Sequence, residues 1–378
     1  MKKIIFLILL TGFTGIGNSA EIPDTLVSSV LTVSPGNELY STFGHTAIRI
    51  RDLKNGNDYV FNYGTFDFNT QDFYIKFALG KLDYILSIEL YDGFIEACKL
   101  EERTVKEQIL NFNKTQNYNL FQLLIEGYKP ENRYYRYKFF TDNCCTRVRD
   151  ILVMASGDST LLEISKVETN STFRDLFTRY LKTMLWSRFG IELVLGTLTD
   201  KKAGYDALFI PDNLKKSIDL AMLGNKHLVS EERIIVEYDD QKNQNTILTP
   251  LFITLLILVT TLLIQFKKQW VRIYDNIFFL LTGLLGSFIC YLTIFSEHAE
   301  LHNNMVVLFL LPANIILPFL KPSSFRKYYC LAALSIVLIG IIFMPLLPQK
   351  FNFAFIVLTV GLGIRFYFNQ ELIVLRRR

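Results

Sequence analysis

Asp142-Asn143-Cys144-Cys145-Thr146-Arg147-Val148-Arg149-Asp150 is the stretch on which the reading of this chain turns. It follows an aromatic-rich segment, Tyr134 to Phe140, that reads as a strand, and it opens a helix. Val148, Ile151, Leu152 and Ala155 recur at helical spacing. Asp142 or Asn143 supplies the N-cap. A cysteine in the first turn lies at the positive end of the helix dipole, which lowers a thiol pKa and favours the nucleophilic thiolate. Arg147 and Arg149 act in the same direction. The competing reading is a pair of buried structural thiols, and a base is needed to choose between the two.

Four histidines are available: His45, His227, His298 and His302. His45 stands in Phe43-Gly44-His45-Thr46-Ala47-Ile48-Arg49-Ile50-Arg51, whose alternation reads as a strand. Thr46, Ile48 and Ile50 share one face; His45, Ala47, Arg49 and Arg51 share the other. Asn55-Gly56 is a hairpin turn signal. A two-residue loop there sets Asn62 opposite Arg49 on the His45 face, Phe61 opposite Ile50, and Tyr63 opposite Ile48. Asn62 is then an orienter of His45, and a bulge would put Tyr63 in its place. A lone histidine on a polar strand face is ordinarily just exposed. A helix-start cysteine elsewhere in the same domain shifts that reading towards a Cys-His pair.

Three segments together, Gly44 to Arg49, Phe61-Asn62-Tyr63-Gly64-Thr65-Phe66-Asp67-Phe68 and Asp142 to Asp150, resemble the periplasmic domain of the Lnb-type lipoprotein N-acyltransferases. The resemblance implies an α+β fold of the permuted papain-like (NlpC-like) kind, shared with lecithin retinol acyltransferase. In that group a strand histidine precedes a cysteine that follows an asparagine at a helix start. His45 and Asn143-Cys144 match that order, which implies Cys144 as nucleophile, His45 as base and Cys145 at a variable position. Asn62 is taken as the third catalytic residue. Arg49, Tyr63, Arg147 and His298 are the candidate substrate-binding residues. No cofactor and no metal are expected.

The rest of the chain sets this pair in context. Residues 1–20 read as a secretory signal: Lys2 and Lys3, the apolar run Ile4 to Leu10, then Gly17-Asn18-Ser19-Ala20. Residues 21–246 are long enough for one catalytic domain with a substantial core. Strands are expected over Val27 to Val33 and Tyr84 to Leu90. Helices are expected over Gln71 to Ala78, Phe94 to Phe112, Tyr118 to Tyr128 and Asn213 to Leu223, with a polar linker at Asp239 to Asn245. From 247 to 378 the composition changes to five apolar runs: Ile247 to Phe266, Ile277 to Phe295, Met305 to Leu320, Tyr329 to Leu346 and Phe351 to Phe368. These predict an all-α membrane domain of about five transmembrane helices. Basic clusters follow the first, third and fifth runs (Lys267, Lys268, Arg272; Lys321, Arg326, Lys327; Arg376 to Arg378), so all three fall on one side. The soluble domain then lies outside and the C-terminus in the cytoplasm. The net charge of +4 owes much to these clusters and does not argue for nucleic-acid binding.

Cys98, Cys144 and Cys145 belong to the exported part, so at least one is unpaired; Cys98 with Cys145 is one conceivable bridge. His298 and His302, with Glu297, stand four apart in an outer loop. They are weak as metal ligands and suit interfacial polarity or recognition of a lipid head group or acceptor. The chemistry expected is thiol acyl transfer through a Cys144 thioester at the bacterial inner membrane. The resemblance implies a phospholipid donor and, as acceptor, the free amine of a diacylated lipoprotein. A membrane-anchored cysteine hydrolase, either a peptidase or a cell-wall amidase, is the rival. An anchored binding module with inert thiols is the non-enzymatic one.

Overall fold

The computed structural model describes residues 24–162, 170–239, 247–321 and 323–375. The expected signal segment, nearly all of the polar linker and the Arg376 to Arg378 cluster lie outside them. In chain order, the first half runs β1 (Leu26–Val33), β2 (His45–Asp52), β3 (Asp58–Thr65), α1 (Phe73–Ala78), β4 (Asp83–Leu90), α2 (Tyr91–Leu100) and β5 (Val105–Leu110). It continues with α3 (Lys114–Tyr128), β6 (Tyr134–Arg136), α4 (Cys144–Ser156), α5 (Phe173–Thr178), α6 (Leu185–Val194) and α7 (Pro211–Leu220). A short hairpin of β7 (Met222–Leu223) and β8 (Lys226–His227) leads into β9 (Val229–Val236).

Seven of these strands form one sheet in the order β6-β4-β3-β2-β1-β5-β9, each neighbour antiparallel. This is a mixed α+β domain. Alternation along β2 and β3 sends Ile48, Ile50 and Phe61 to one face, where they meet Leu120 and Leu124 of α3 and Val148 and Leu152 of α4. Full burial of each such side chain contributes about 1.5–3 kcal/mol. Ala47 and Val60 point the other way and pack on Phe94, Ile95 and Cys98 of α2. The face of β2 that reads as polar in the sequence is therefore covered as well, and His45 is not a surface histidine.

Several expectations change. The helix expected over Phe94 to Phe112 ends at Leu100, and its second half is β5, inserted between β1 and β9. Apolar Val105, Ile109 and Leu110 lack clean alternation because Glu107 and Gln108 are buried too, Glu107 by Arg49 and Gln108 by α7. The strand expected over Tyr134 to Phe140 is only the three residues of β6, followed by a turn closed by a Lys138–Asp142 bridge. The β2–β3 loop has four residues, not two: Asp52 pairs with Asn57, and Arg49 faces Val60 while Ile48 faces Phe61. That is a two-residue shift from the expected pairing. Because side chains alternate with period two, an even shift leaves Asn62 on the His45 face. The irregularity in β3 falls between Tyr63 and Thr65 on the β4 side, so Tyr63 does not replace Asn62. Cys98 and Cys145 sit in cores on opposite sides of the sheet and both are free, which removes the bridge between them.

The second half is helical: α8 (Pro250–Leu263), α9 (Lys268–Phe295), α10 (Val306–Phe309), α11 (Ser324–Phe343) and α12 (Phe353–Leu375). Among the described residues four helical segments are long and apolar enough to cross a membrane: Lys268–Phe295, Ala299–Phe319, Ser324–Leu346 and Phe353–Gln370. Pro250–Phe266 is a shorter apolar helix beside them. The segment Ala299–Phe319 is broken, with α10 followed by a 3-10 stretch from Pro312 to Phe319, because Pro312 and Pro318 interrupt the α-helical ladder. Arg365 of α12 is wholly buried and makes a bidentate pair with Asp275 of α9, at 2.6 and 3.0 Å, to which Asn369 donates at 2.9 Å. A charge in that setting persists only when paired, so this cluster pins α12 to α9.

Candidate active site

The start of α4 is held by Asn143. Its Oδ1 accepts from the Thr146 N–H at 2.9 Å, and Thr146 Oγ1 accepts from the Asn143 N–H at 2.8 Å. The Asn143 amide donates to the carbonyls of Phe139 and Phe209 at 2.9 and 2.8 Å. Every polar atom of the cap is engaged, and Asn143 fills the role for which Asp142 was the alternative. Asp142 instead takes both bonds from Arg147, at 2.5 and 2.9 Å. This cap fixes the first-turn residues Cys144 and Cys145 against the ends of β2 and β3. Gly64 lies beside them: it adopts a φ of 92°, and a Cβ there would stand 3.5 Å from the Tyr137 ring and 3.9 Å from Cys144 Cβ. The space would admit a Cβ, but the φ would strain any other residue.

Cys144 and His45 are near enough for each to shift the other's titration, the thiol downward and the imidazole upward. Asn62 Oδ1 accepts from His45 Nε2 at 3.1 Å, and Asn62 Nδ2 donates to Glu89 Oε1 at 2.5 Å. The second bond orients the first. Glu89 is an acceptor, so the Asn62 NH2 must face it, which turns Oδ1 towards the imidazole. Nε2 therefore carries a proton, which leaves the other ring nitrogen as the one able to accept another.

The two cysteines differ in their surroundings. Cys145 is fully buried; its thiol lies 3.4 Å from Thr46 Oγ1 and 3.9 Å from the Cys144 sulfur. The Cys145 thiol's hydrogen bond holds the Cys144 thiol well below its ordinary value against the effect of burial, and the His45 charge and bond and the Thr46 N–H add to it. Burial pushes the Cys145 thiol well up, and the neighbouring Cys144 adds to that. Burial alone would lower the imidazole. The charge and hydrogen bond of Cys144, with the Asn62 bond, more than offset it, so His45 titrates above its usual value. Loss of solvent on its inner side raises the Glu89 carboxyl despite His45 and Asn62. The lowered thiol and the raised imidazole, with an amide and a carboxylate behind them, are chemically suited to nucleophilic attack on an ester carbonyl.

Of the other residues singled out in the sequence, Arg147 lies beside the site, three residues on from Cys144. Its guanidinium is stacked on the Tyr135 ring, 3.8 Å from the centroid. Tyr63 is buried in the core below, edge-on to Tyr135. Arg49 is not brought to Cys144. It is stacked on Tyr91 at 3.4 Å and bound by Asp58 at 2.5 and 2.8 Å and by Glu107 at 2.9 Å. Its donors are spent on strands β3 and β5 and its flat face on helix α2, which makes it a staple of the sheet. His298 also lies elsewhere: its Nε2 pairs with the Phe77 carbonyl at 2.9 Å, and its other nitrogen stands 3.5 Å from Glu300. Among the described residues no group of three or more His, Cys, Asp or Glu is placed to hold a metal ion. Sequence reasoning did not find Glu89, Thr46 or Tyr135. Glu89 lies in a segment legible as a strand, but its place next to β3 is a matter of strand order. The Tyr135 hydroxyl is buried without a hydrogen-bond partner, about 4.0 Å from the point where a Gly64 Cβ would be.

Residues 19–179 match the family described as the Lnb N-terminal periplasmic domain, and residues 241–377 match the Lnb transmembrane domain. Together the two matches take in most of the chain. No curated protein and no solved structure matches it.

Proposed function

From the premise that this chain belongs to the Lnb family, as the matches of both its halves show, we propose that it is a membrane-bound lipoprotein N-acyltransferase working through a Cys144 thioester. Membership of this family supports a membrane protein with a periplasmic domain and a part in lipoprotein N-acylation. The observation that carries the thioester mechanism is the lowered Cys144 thiol beside His45 at a capped helix start. In this reading the Cys144 thiolate attacks an ester carbonyl of a phospholipid, and the lysolipid alcohol leaves with the proton held by His45. The amine of a diacylated lipoprotein then attacks the thioester, His45 takes its proton, and the thiolate is released. The first-turn N–H of Cys144 has no intrahelical acceptor, and the unpaired Tyr135 hydroxyl is near; both are donors for the oxyanion. The domain's fold is read as permuted papain-like.

The test is mass spectrometry of lipoprotein N-termini in cells lacking their own N-acyltransferase. With this protein the diacylated form is expected to become triacylated. If the N-termini stay free while the purified protein cleaves peptide or cell-wall amides, the hydrolase reading holds instead.

Asn62 and Glu89 are positioning residues in this scheme. Asn62→Ala is expected to lower kcat/KM by about 10- to 100-fold, the range for the partners that orient metal-ligating imidazoles, whose part here is the same. Glu89→Gln keeps an acceptor for the Asn62 amide and is expected to cost less. Equal losses from both would count against the relay.

The basic clusters after the first, third and fifth apolar runs support a cytoplasmic C-terminus. A reporter fused after Arg378 is expected to be active only in the cytoplasm; periplasmic activity would mean that the number of spans is even.

A further inference from the structure

We infer that α1 and the residues packed beside it form a membrane-inserting aromatic patch, whose partner is the lipid bilayer surface around the spans. The helix Phe73–Ala78 has no buried residue. Tyr74, Ile75 and Phe77 are 79 %, 61 % and 51 % exposed, and beside them Phe68 and Tyr40 are more than half exposed. These side chains are contiguous. Phe68 lies 4.9 Å from Phe73 and 6.0 Å from Tyr40, ring centroid to centroid, and Phe73 is stacked with Phe77 at 6.3 Å. Scattered apolar residues on a surface need no explanation, but a contiguous aromatic patch of this kind marks a binding surface.

What covers it follows from where α1 is anchored. The last carbonyls of α1 and the residue after it are taken up by the loop that follows α9. Ser296 Oγ donates to Ala78 O at 3.0 Å, the Glu297 N–H donates to Leu79 O at 2.9 Å, and His298 Nε2 pairs with Phe77 O at 2.9 Å. Gly80, with a φ of 70°, lets the chain close onto that loop: a Cβ there would stand 3.1 Å from the His298 nitrogen and 3.2 Å from Glu297 Cβ. The α9 helix reaches this loop through Tyr291, Ile294 and Phe295, which are 47 %, 63 % and 57 % exposed. An apolar face at the end of a 28-residue membrane-spanning helix faces lipid. The patch on α1 is latched to that same end, at the depth where aromatic side chains collect at the water–lipid boundary. The role left to His298 is to hold this latch.

The patch also connects to the nucleophile. Phe73 packs against Phe66 at 5.7 Å, Phe66 against Tyr84 at 5.3 Å, and Tyr84 stacks on Tyr137 at 4.4 Å. Tyr137 is the ring that covers Gly64 beside Cys144. An unbroken series of rings thus joins the lipid boundary to the thiol. Seating α1 in the membrane sets Cys144 at the height of the ester groups it would attack. This last step rests on the acyltransfer reading; the insertion does not.

The experiment uses the full chain in lipid nanodiscs. Tyr74→Trp adds a third indole to Trp186 and Trp270, and the added emission is read as the difference from the unchanged protein. It is expected to be blue-shifted and quenched by bilayers of brominated phosphatidylcholine. Added emission that is unshifted and unquenched overturns the inference, as does protection of this face by a second copy of the chain in the nanodisc. Because this readout needs no turnover, it separates the failure of insertion from the failure of the proposed chemistry. The double variant Tyr74→Ser/Ile75→Ser is then expected to slow Cys144 acylation by phospholipid in bilayers about tenfold or more, since it removes the apolar area that inserts. Acylation by a short, soluble aryl ester is expected to be unchanged. Equal slowing of both substrates, or of neither, counts against the patch as a lipid-seating surface.

Discussion

Cys144→Ala is expected to abolish both the acyl-enzyme and the modification of lipoprotein N-termini, while Cys145→Ala leaves a working enzyme. The two thiols are adjacent in sequence, and they part at the first turn of α4. Cys144 is turned to His45 and to the Thr46 N–H, whereas Cys145 is turned inward to the Thr46 hydroxyl and has no exposed surface. Removing the nucleophile leaves no route to a thioester. Removing Cys145 takes away one hydrogen bond to the thiolate, worth about 1.5–3 kcal/mol when one partner is charged, which is roughly a 10- to 150-fold loss and not abolition. Intact-mass spectra of protein incubated with phospholipid and no acceptor are the measurement. A fatty-acyl adduct is expected on the unchanged protein and on Cys145→Ala, and none on Cys144→Ala. An adduct that survives Cys144→Ala and disappears with Cys145→Ala would reverse the assignment.

His45→Ala is expected to lower acylation by about 10²–10⁴-fold, the usual weight of a positioned general base, and to change its pH dependence. In the intact protein the Cys144 thiol titrates below, and the His45 imidazole above, their ordinary values. In the proposed scheme the reactive ion pair is expected to fill the window between those two values. As pH falls through the lowered thiol value the thiolate is protonated and attack slows. As pH rises through the raised imidazole value the proton needed by the leaving alcohol is lost, so turnover falls there too. The profile is a bell whose two limbs belong to the pair and not to either residue alone. Alkylation of Cys144 by iodoacetamide needs only the thiolate and shows just the acid limb. It is expected to stay fast from the free-thiol range near 8.5 down to neutrality, and to slow over that interval in His45→Ala. An alkylation rate that follows an ordinary thiol in the unchanged protein would mean that no ion pair stands in the resting state.

The α+β half followed by apolar spans was legible from periodicity and composition, because helix and strand differ in repeat and lipid demands long apolar runs. The helix start at Asn143-Cys144 was legible too, since an N-cap is local chemistry. So were β1, β2 and α3, whose apolar positions alternate or recur regularly. Strand β5 was not. Glu107 and Gln108 are buried in the middle of it, and they are tolerated only because Arg49 and α7, distant in sequence, provide partners. The hairpin register was missed by two residues because Asn55-Gly56 lies within a four-residue loop. Alternation survives an even shift, so Asn62 kept its face. Arg49 shares that face with His45 and reads as a site residue; only the packing of α2 and β5 turned it into a sheet staple. Glu89 joined the site because β4 pairs with β3, which is strand order and not pattern. His298 reads in the sequence as an outer-loop residue facing the domain, but that it closes on α1 depends on a backbone carbonyl more than two hundred residues away. The sequence by itself determined the classes of the two halves and the residue types able to do the chemistry, because repeats, caps and apolar length are local. Which of those residues meet, and which are consumed in holding the fold, only the tertiary structure decided, because a side chain's role is set by partners that the chain brings in from elsewhere.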